Sequence, residues 1–164
     1  MAEMHIGGAP GAVYTETEAL QGKCPALGAL YTDHNGNKYV MVKTTTGNLT
    51  NGTLVTIAND WAATAAAAGN GPTAASTIGV LVVSVTTSTS TLCWAQVFGK
   101  GNVLASTSAL PNVVLGIGSA GGQVDDGVTT ASVAITGMHL TATSQSASAL
   151  TACILNFPTL YSNI

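Results

Sequence analysis

The stretch from Ile78 to Val103, IGVLVVSVTTSTSTLCWAQVFGKGNV, constrains the fold more than any other part of the chain. Two apolar runs, Ile78 to Val85 and Leu92 to Phe98, flank a hydroxyl-rich break at Thr86 to Thr91, and the second run closes on Gly99-Lys100-Gly101. The β-branched residues Val80, Val82, Val83, Val85 and Val97 would lose side-chain freedom in a helix and suit a pleated, half-buried surface instead. The stretch therefore predicts a hairpin of two core strands. Such residues build cores and interfaces, and none of them does chemistry.

The rest of the chain reads as strands and turns around that hairpin. Two turn clusters, Gly7 to Gly11 and Cys24 to Gly28, bracket Tyr14-Thr15-Glu16-Thr17-Glu18-Ala19-Leu20, which suits either a short strand or one turn of helix. Residues 1–28 are too poor in large apolar side chains to form a core, so they are expected to be an arm over the domain or a neighbour. Leu27, Ala29 and Tyr31 then alternate with smaller residues, Asp33-His34-Asn35-Gly36 supplies a turn, and Lys38 to Lys43 alternates again, the clearest local hairpin. Asn51-Gly52 makes a second turn before a strand from Thr53 to Ile57. The alanine-rich run Trp61 to Ala68 suits a helical turn or a buried strand of small residues, and Gly69-Asn70-Gly71-Pro72 stops it. Strand and turn continue over Asn102 to Ser108, and Val128 to Ile135 and Leu150 to Phe157 read as further strands.

These elements predict an all-β fold: a single small β-barrel or β-sandwich domain over 29–157, with extended arms at both ends. The last segment, 158–164, keeps Leu160, Tyr161 and Ile164, apolar residues that a solvated terminus does not need. It is expected to dock on a neighbouring subunit, with Tyr14 of the N-terminal arm as a further interface residue. A chain of 164 residues is long enough to bury one sizeable core.

Charge bounds the partners. Only 7% of the residues are Asp, Glu, Lys or Arg, against a usual share of about 25%. Thr, Ser, Asn, Gln, Gly and Ala must then cover most of the exterior, and such a surface favours association into an oligomer or lattice. Lys23, Lys38, Lys43 and Lys100 are the only cations apart from histidine, and the net charge is -3, so nucleic acid is not an expected partner. No run approaches the roughly 18 apolar residues of a membrane span, and MAEMHIGGAPGAV lacks a basic region followed by an apolar core. Folding in a cytoplasm, with no membrane partner, is the expectation. Cys93 and Cys153 lie in apolar runs and read as small buried hydrophobes; with Cys24 they show no metal-ligand spacing. Asn48-Leu49-Thr50 and Asn51-Gly52-Thr53 match the glycosylation pattern, which without a secretory signal reads as accidental.

The remaining candidates for chemistry are sparse. His5 falls in the arm, His34 in a turn and His139 near a strand end, with no short metal-binding spacing between them. Asp125-Asp126-Gly127 resembles the start of a calcium loop but lacks the later acidic ligand, so it reads as a hairpin turn. Ser119 has no glycine two residues before it, as a nucleophile elbow requires. Gly116, Gly118 and Gly121 match the letters of a dinucleotide fingerprint, but no helix signal follows and no carboxylate lies about 20 residues on. Trp61 and Trp94 suit a core or interface better than a stacking platform. Neither catalysis nor a cofactor is expected.

The order of features resembles a known family. Tyr31-Thr32-Asp33-His34-Asn35-Gly36-Asn37-Lys38-Tyr39-Val40 is followed by Gly47-Asn48-Leu49-Thr50-Asn51-Gly52-Thr53-Leu54-Val55-Thr56-Ile57. An alanine-rich segment then leads to Thr77-Ile78-Gly79-Val80-Leu81, and a strand ends on Val97-Phe98-Gly99-Lys100-Gly101-Asn102-Val103. This pattern, over Leu27 to Val103, resembles the head-decoration, or capsid cement, proteins of tailed bacteriophages; the C-terminal third carries no matching motif. The resemblance implies a small β-barrel-like domain made in the host bacterial cytoplasm. It also implies a homotrimer that binds the major capsid protein on the outer surface of the virion head and clamps the expanded shell. A surface binding module, such as a fibre head or a carbohydrate-binding β-domain, is the alternative, in which Trp61, Trp94 and tyrosine side chains would face a ligand.

Overall fold

The computed structural model describes residues 10–45, 47–67, 77–86, 90–126 and 133–162. The chain is all-β: the described residues form eleven strands in one hydrogen-bonded sheet and one five-residue helix. In order these are β1 (Val13–Thr15), α1 (Glu16–Leu20), β2 (Leu30–Thr32), β3 (Lys38–Thr44), β4 (Leu54–Ile57), β5 (Ala62–Ala65) and β6 (Thr77–Leu81). They are followed by β7 (Thr91–Ala105), β8 (Leu115–Ile117), β9 (Val124–Asp125), β10 (Val133–Leu140) and β11 (Ala149–Ser162).

The architecture follows from β7, which is long enough to serve two rings. Its first half pairs with β3, from Thr44↔Thr91 to Lys38↔Phe98, and a ring continues through β5, β4 and β6 back to Val80↔Gln96 and Leu81↔Ala95. Its second half pairs with β11, from Asn156↔Phe98 to Ala149↔Ala105, and a second ring runs through β10, β8 and β9 to the parallel pair Ala105↔Val124. Both rings close unevenly, through registers of only one or two residues. Thr159↔Thr77 ties β11 to β6 between them.

The alternation of side chains sorts each strand between cores. Val40, Val42, Val55, Ile57, Ala63, Leu81, Cys93, Ala95 and Val97 fill the first ring. The second core contains Val103, Leu115, Val124, Ile135, Leu140, Cys153, Leu155 and Leu160, and is completed by Leu54, Ile78 and Val80 from the outward faces of β4 and β6. The opposite parity of β3 and β7, namely Tyr39, Met41, Leu92 and Trp94, is covered by Tyr14, Ala19, Cys24, Ala29 and Tyr31. β3 and β7 are therefore buried on both faces, which explains their unbroken apolar runs.

The hairpin expected at the centre of the chain is present as β6 and β7, but the second strand does not stop at Gly99-Lys100-Gly101. It bends there instead. Gly99 has φ +96, and a Cβ at that position would collide with Oδ1 of Asn37, so only glycine fits. Asn37 Oδ1 accepts from Lys100 N (3.0 Å). Gln96, buried at the bend, donates through Nε2 to the carbonyls of Phe98 (3.2 Å) and Lys100 (2.9 Å). These side chains satisfy backbone groups that a continuous ladder would otherwise have paired.

Four further expectations resolve. The N-terminal segment from residue 10 lies over the domain: β1 pairs with β7 (Tyr14↔Leu92), and Thr15 caps α1 in a capping box with Glu18. Within the alanine-rich run the choice falls to strand at Ala62–Ala65, because β5 must close the first ring between β4 and β3; Ala68 lies outside the described residues. Residues 158–162 are no tail but the end of β11, paired with β10 as far as Val133↔Ser162. The predicted β2–β3 hairpin is present, with Asn35 N and Asn37 N both donating to Asp33 Oδ1 (2.8 and 2.9 Å).

Candidate functional site

Of the four residues expected at an interface, the three that the structure describes do not converge. Tyr161 is 58% exposed on β11, but Leu160, one residue earlier on the opposite face, is only 2% exposed inside the second core. Leu160 is thus corrected from an interface residue to a core residue, because strand alternation turns it inward opposite Ile135. Tyr14 is half-buried under the N-terminal segment, packed with the Tyr39–Trp94 cluster. Ile164 lies outside the described residues.

Large apolar side chains are instead exposed in three places. The first is the N-terminal segment from β1 to β2, where Leu20 is 90% and Leu30 71% exposed, with Val13 and Leu27 also open to solvent. Trp61, also exposed, has φ +64 and lays its ring on Gly28, where any Cβ would strike the indole. β1 and β2 are the terminal strands of the sheet order, each with one strand neighbour among the described residues. Sheet termini are where a further strand can add. The second place is the β7–β8 connection, with Leu110, Val113 and Val114; the third is β11, with Leu150, Phe157 and Tyr161.

Polar coverage comes from neutral groups. Thr56 and Thr64 pair hydroxyls across β4 and β5 (3.1 Å), and Thr136 and Thr159 do so across β10 and β11 (2.8 Å). Such cross-strand threonine pairs stabilise a sheet without charge. Lys43–Glu16 is the one ion pair among the described residues. A groove lined by Asn48, Thr50, Asn51, Ser84, Gln123 and Ser148 is also uncharged.

The titratable groups serve the fold. Desolvation works against the Asp33 carboxylate, but donors from Asn37, Tyr39 and Asn35 outweigh it and hold its pKa below the usual range. Burial, then the hydrogen bond to Asp33, pushes Tyr39 up to about 12. Burial also pushes the free thiols of Cys93 and Cys153 up to about 12, as suits small core residues. Among the described residues, no three His, Cys, Asp or Glu are grouped to hold a metal ion. Asp126 Oδ2 accepts from Leu110 N (3.1 Å), which braces a loop. Among the described residues no helix follows the glycine loop, and its glycine amides bond within the chain: Gly118 N donates to Gln123 O and Gly121 N to Gly118 O. Trp94 is buried, with Nε1 lacking a hydrogen-bond partner, and its ring stands 5.8 Å from that of Tyr31. It therefore faces no ligand.

Sequence reasoning missed one cluster. Phe98 and Phe157 stack with centroids 5.4 Å apart, and Lys38 Nζ lies 5.5 and 5.6 Å from the two rings. The available signal was Gly137 inside a strand pattern and Pro158 at the end of another, which together mark a bulge. No protein-family model matches the sequence, and no curated protein matches it significantly.

Proposed function

We propose that the chain is a structural virion protein, a cement or decoration protein that binds the outer surface of a phage head and stabilises the expanded shell. The observation that carries the reading is an exterior sparing in charge that nevertheless exposes large apolar side chains, Leu20 and Leu30 foremost, in its N-terminal segment. A surface of this kind is poorly suited to a solitary monomer. Support also comes from the resemblance of Leu27 to Val103 to capsid cement proteins. The partners in this reading are the major capsid protein and two further copies of the chain in a homotrimer. Many copies on one shell would add weak contacts by avidity.

The test is light scattering of the purified protein, followed by co-sedimentation with expanded capsids. A trimer that depletes onto shells is the expected result. A monomer that stays in the supernatant would refute it. The neutral hydrogen-bonding groove at Asn51 and Gln123 favours a second reading, a surface module that binds an uncharged polar ligand such as a glycan. Glycan binding with saturable amide shifts at Asn51, Gln123 and Ser148 would support that reading.

A further inference from the structure

β7, β11 and β10 lie side by side, and their outward side chains form rows. Lys100, Ile154 and His139 make one row, since Ile154 is in register with both others. Phe98 and Asn156 make the next, and there the third position is Gly137, without a side chain. A groove forms over this gap, lined by Phe98, Lys100, Gly137, His139, Ile154 and Asn156, among others.

The groove is built by an irregularity. Met138 pairs with Leu155 and Thr136 with Thr159, so Gly137 alone lies opposite Asn156, Phe157 and Pro158. A Cβ on Gly137, which has φ +74, would approach Asn156 O to 2.5 Å. Phe157 itself has φ +46, a conformation that a bulky L-residue adopts only under constraint. Bulges of this kind re-aim side chains, and strained positions of this kind concentrate at functional sites. Here the strain holds Phe157 half exposed against Phe98, with the Lys38 ammonium within cation–π distance of both rings.

The charge of the groove departs from that of the molecule. The chain is net negative, yet of its four lysines Lys100 lines this groove and Lys38 stands over the adjoining Phe98–Phe157 pair. Neither forms an ion pair among the described residues, and no carboxylate lines the groove. We infer that the groove docks a polypeptide segment in which one large apolar side chain, seated on Ile154 beside the Phe98–Phe157 pair, is flanked by carboxylates that meet Lys38 and Lys100. Aromatic rings beside lysines also suit single-stranded nucleic acid, but two cations on an acidic protein neutralise too few phosphates. The inference stands apart from the virion reading, since a chain that cements no capsid would still bind such a segment.

The probe is the capped peptide Glu-Glu-Phe-Glu-Glu, titrated into nitrogen-15-labelled protein at low salt, with Lys-Lys-Phe-Lys-Lys and an oligothymidylate as comparisons. Saturable amide shifts at Lys100, His139, Ile154 and Asn156, from the acidic peptide alone, are expected. Phe157→Gly removes the ring while tolerating the positive φ, and Lys100→Gln removes an exposed charge. Each should weaken binding by about threefold to tenfold and leave the spectrum folded. Equal shifts from both peptides, shifts centred elsewhere, no saturation at millimolar peptide, or tighter binding of the oligothymidylate would overturn the inference.

Discussion

Leu160 and Tyr161 are adjacent on β11 and should respond to truncation in opposite ways. Leu160 is 2% exposed, in register with Ile135, and belongs to the core cluster that includes Ile78 and Leu155. Replacing it by alanine removes buried methyl groups and leaves a cavity that the surrounding strands of two rings cannot easily collapse. The cost is about 3 kcal/mol, within the roughly 2–5 kcal/mol of such truncations. For a domain of this size that lowers Tm by about 6–12 °C. Tyr161→Ser removes a ring that is 58% exposed and should change stability by no more than about 0.5 kcal/mol. Urea titrations with a common m-value measure both. The core assignment fails if Leu160→Ala shifts the midpoint no more than Tyr161→Ser does. Loss of oligomer mass with unchanged monomer stability in Leu160→Ala would instead restore an interface role.

Gly99→Ala should destabilise by more than about 1 kcal/mol, because φ +96 disfavours a side chain and the added methyl meets Asn37; urea unfolding reads it directly. Asp33 has a folded pKa below its unfolded value of about 3.9, so its stabilising contribution is complete above that value and lost as pH falls through the folded pKa. Midpoints measured from pH 6 to pH 2 should therefore fall less steeply for Asp33→Asn than for the natural chain. Tyr39, held up to about 12, should remain un-ionised at pH 10.5 by ultraviolet difference absorbance, a result that Tyr39→Phe isolates. At pH 8 a thiol reagent should label Cys24 in the native protein and reach Cys93 and Cys153 only in denaturant; prompt labelling of all three would contradict their burial.

Much of the fold was legible because it is written in local pattern. The β2–β3 hairpin follows from Asp33 and Gly36, whose side-chain acceptor and φ of +81 shape the turn without tertiary help. The β6–β7 hairpin follows from valine density. The candidate sites were less legible, because they depend on which strands become neighbours. Nothing in the local pattern of residues 158–162 says that they continue β11 beside β10, and nothing near Phe157 announces Phe98 or Lys38.

Composition and period-two patterning alone thus determined that this chain is β-structured, sparing in charge and rich in surface hydroxyls. These are properties of single residues and their immediate neighbours. The tertiary structure decided that β7 belongs to two rings, that Leu160 faces inward, and that Gly137 leaves a gap under a constrained Phe157. Those outcomes rest on pairings between residues far apart in the chain, such as Lys38 with Phe98 and Phe98 with Asn156. Such pairings become favourable only when both rings bury their cores together.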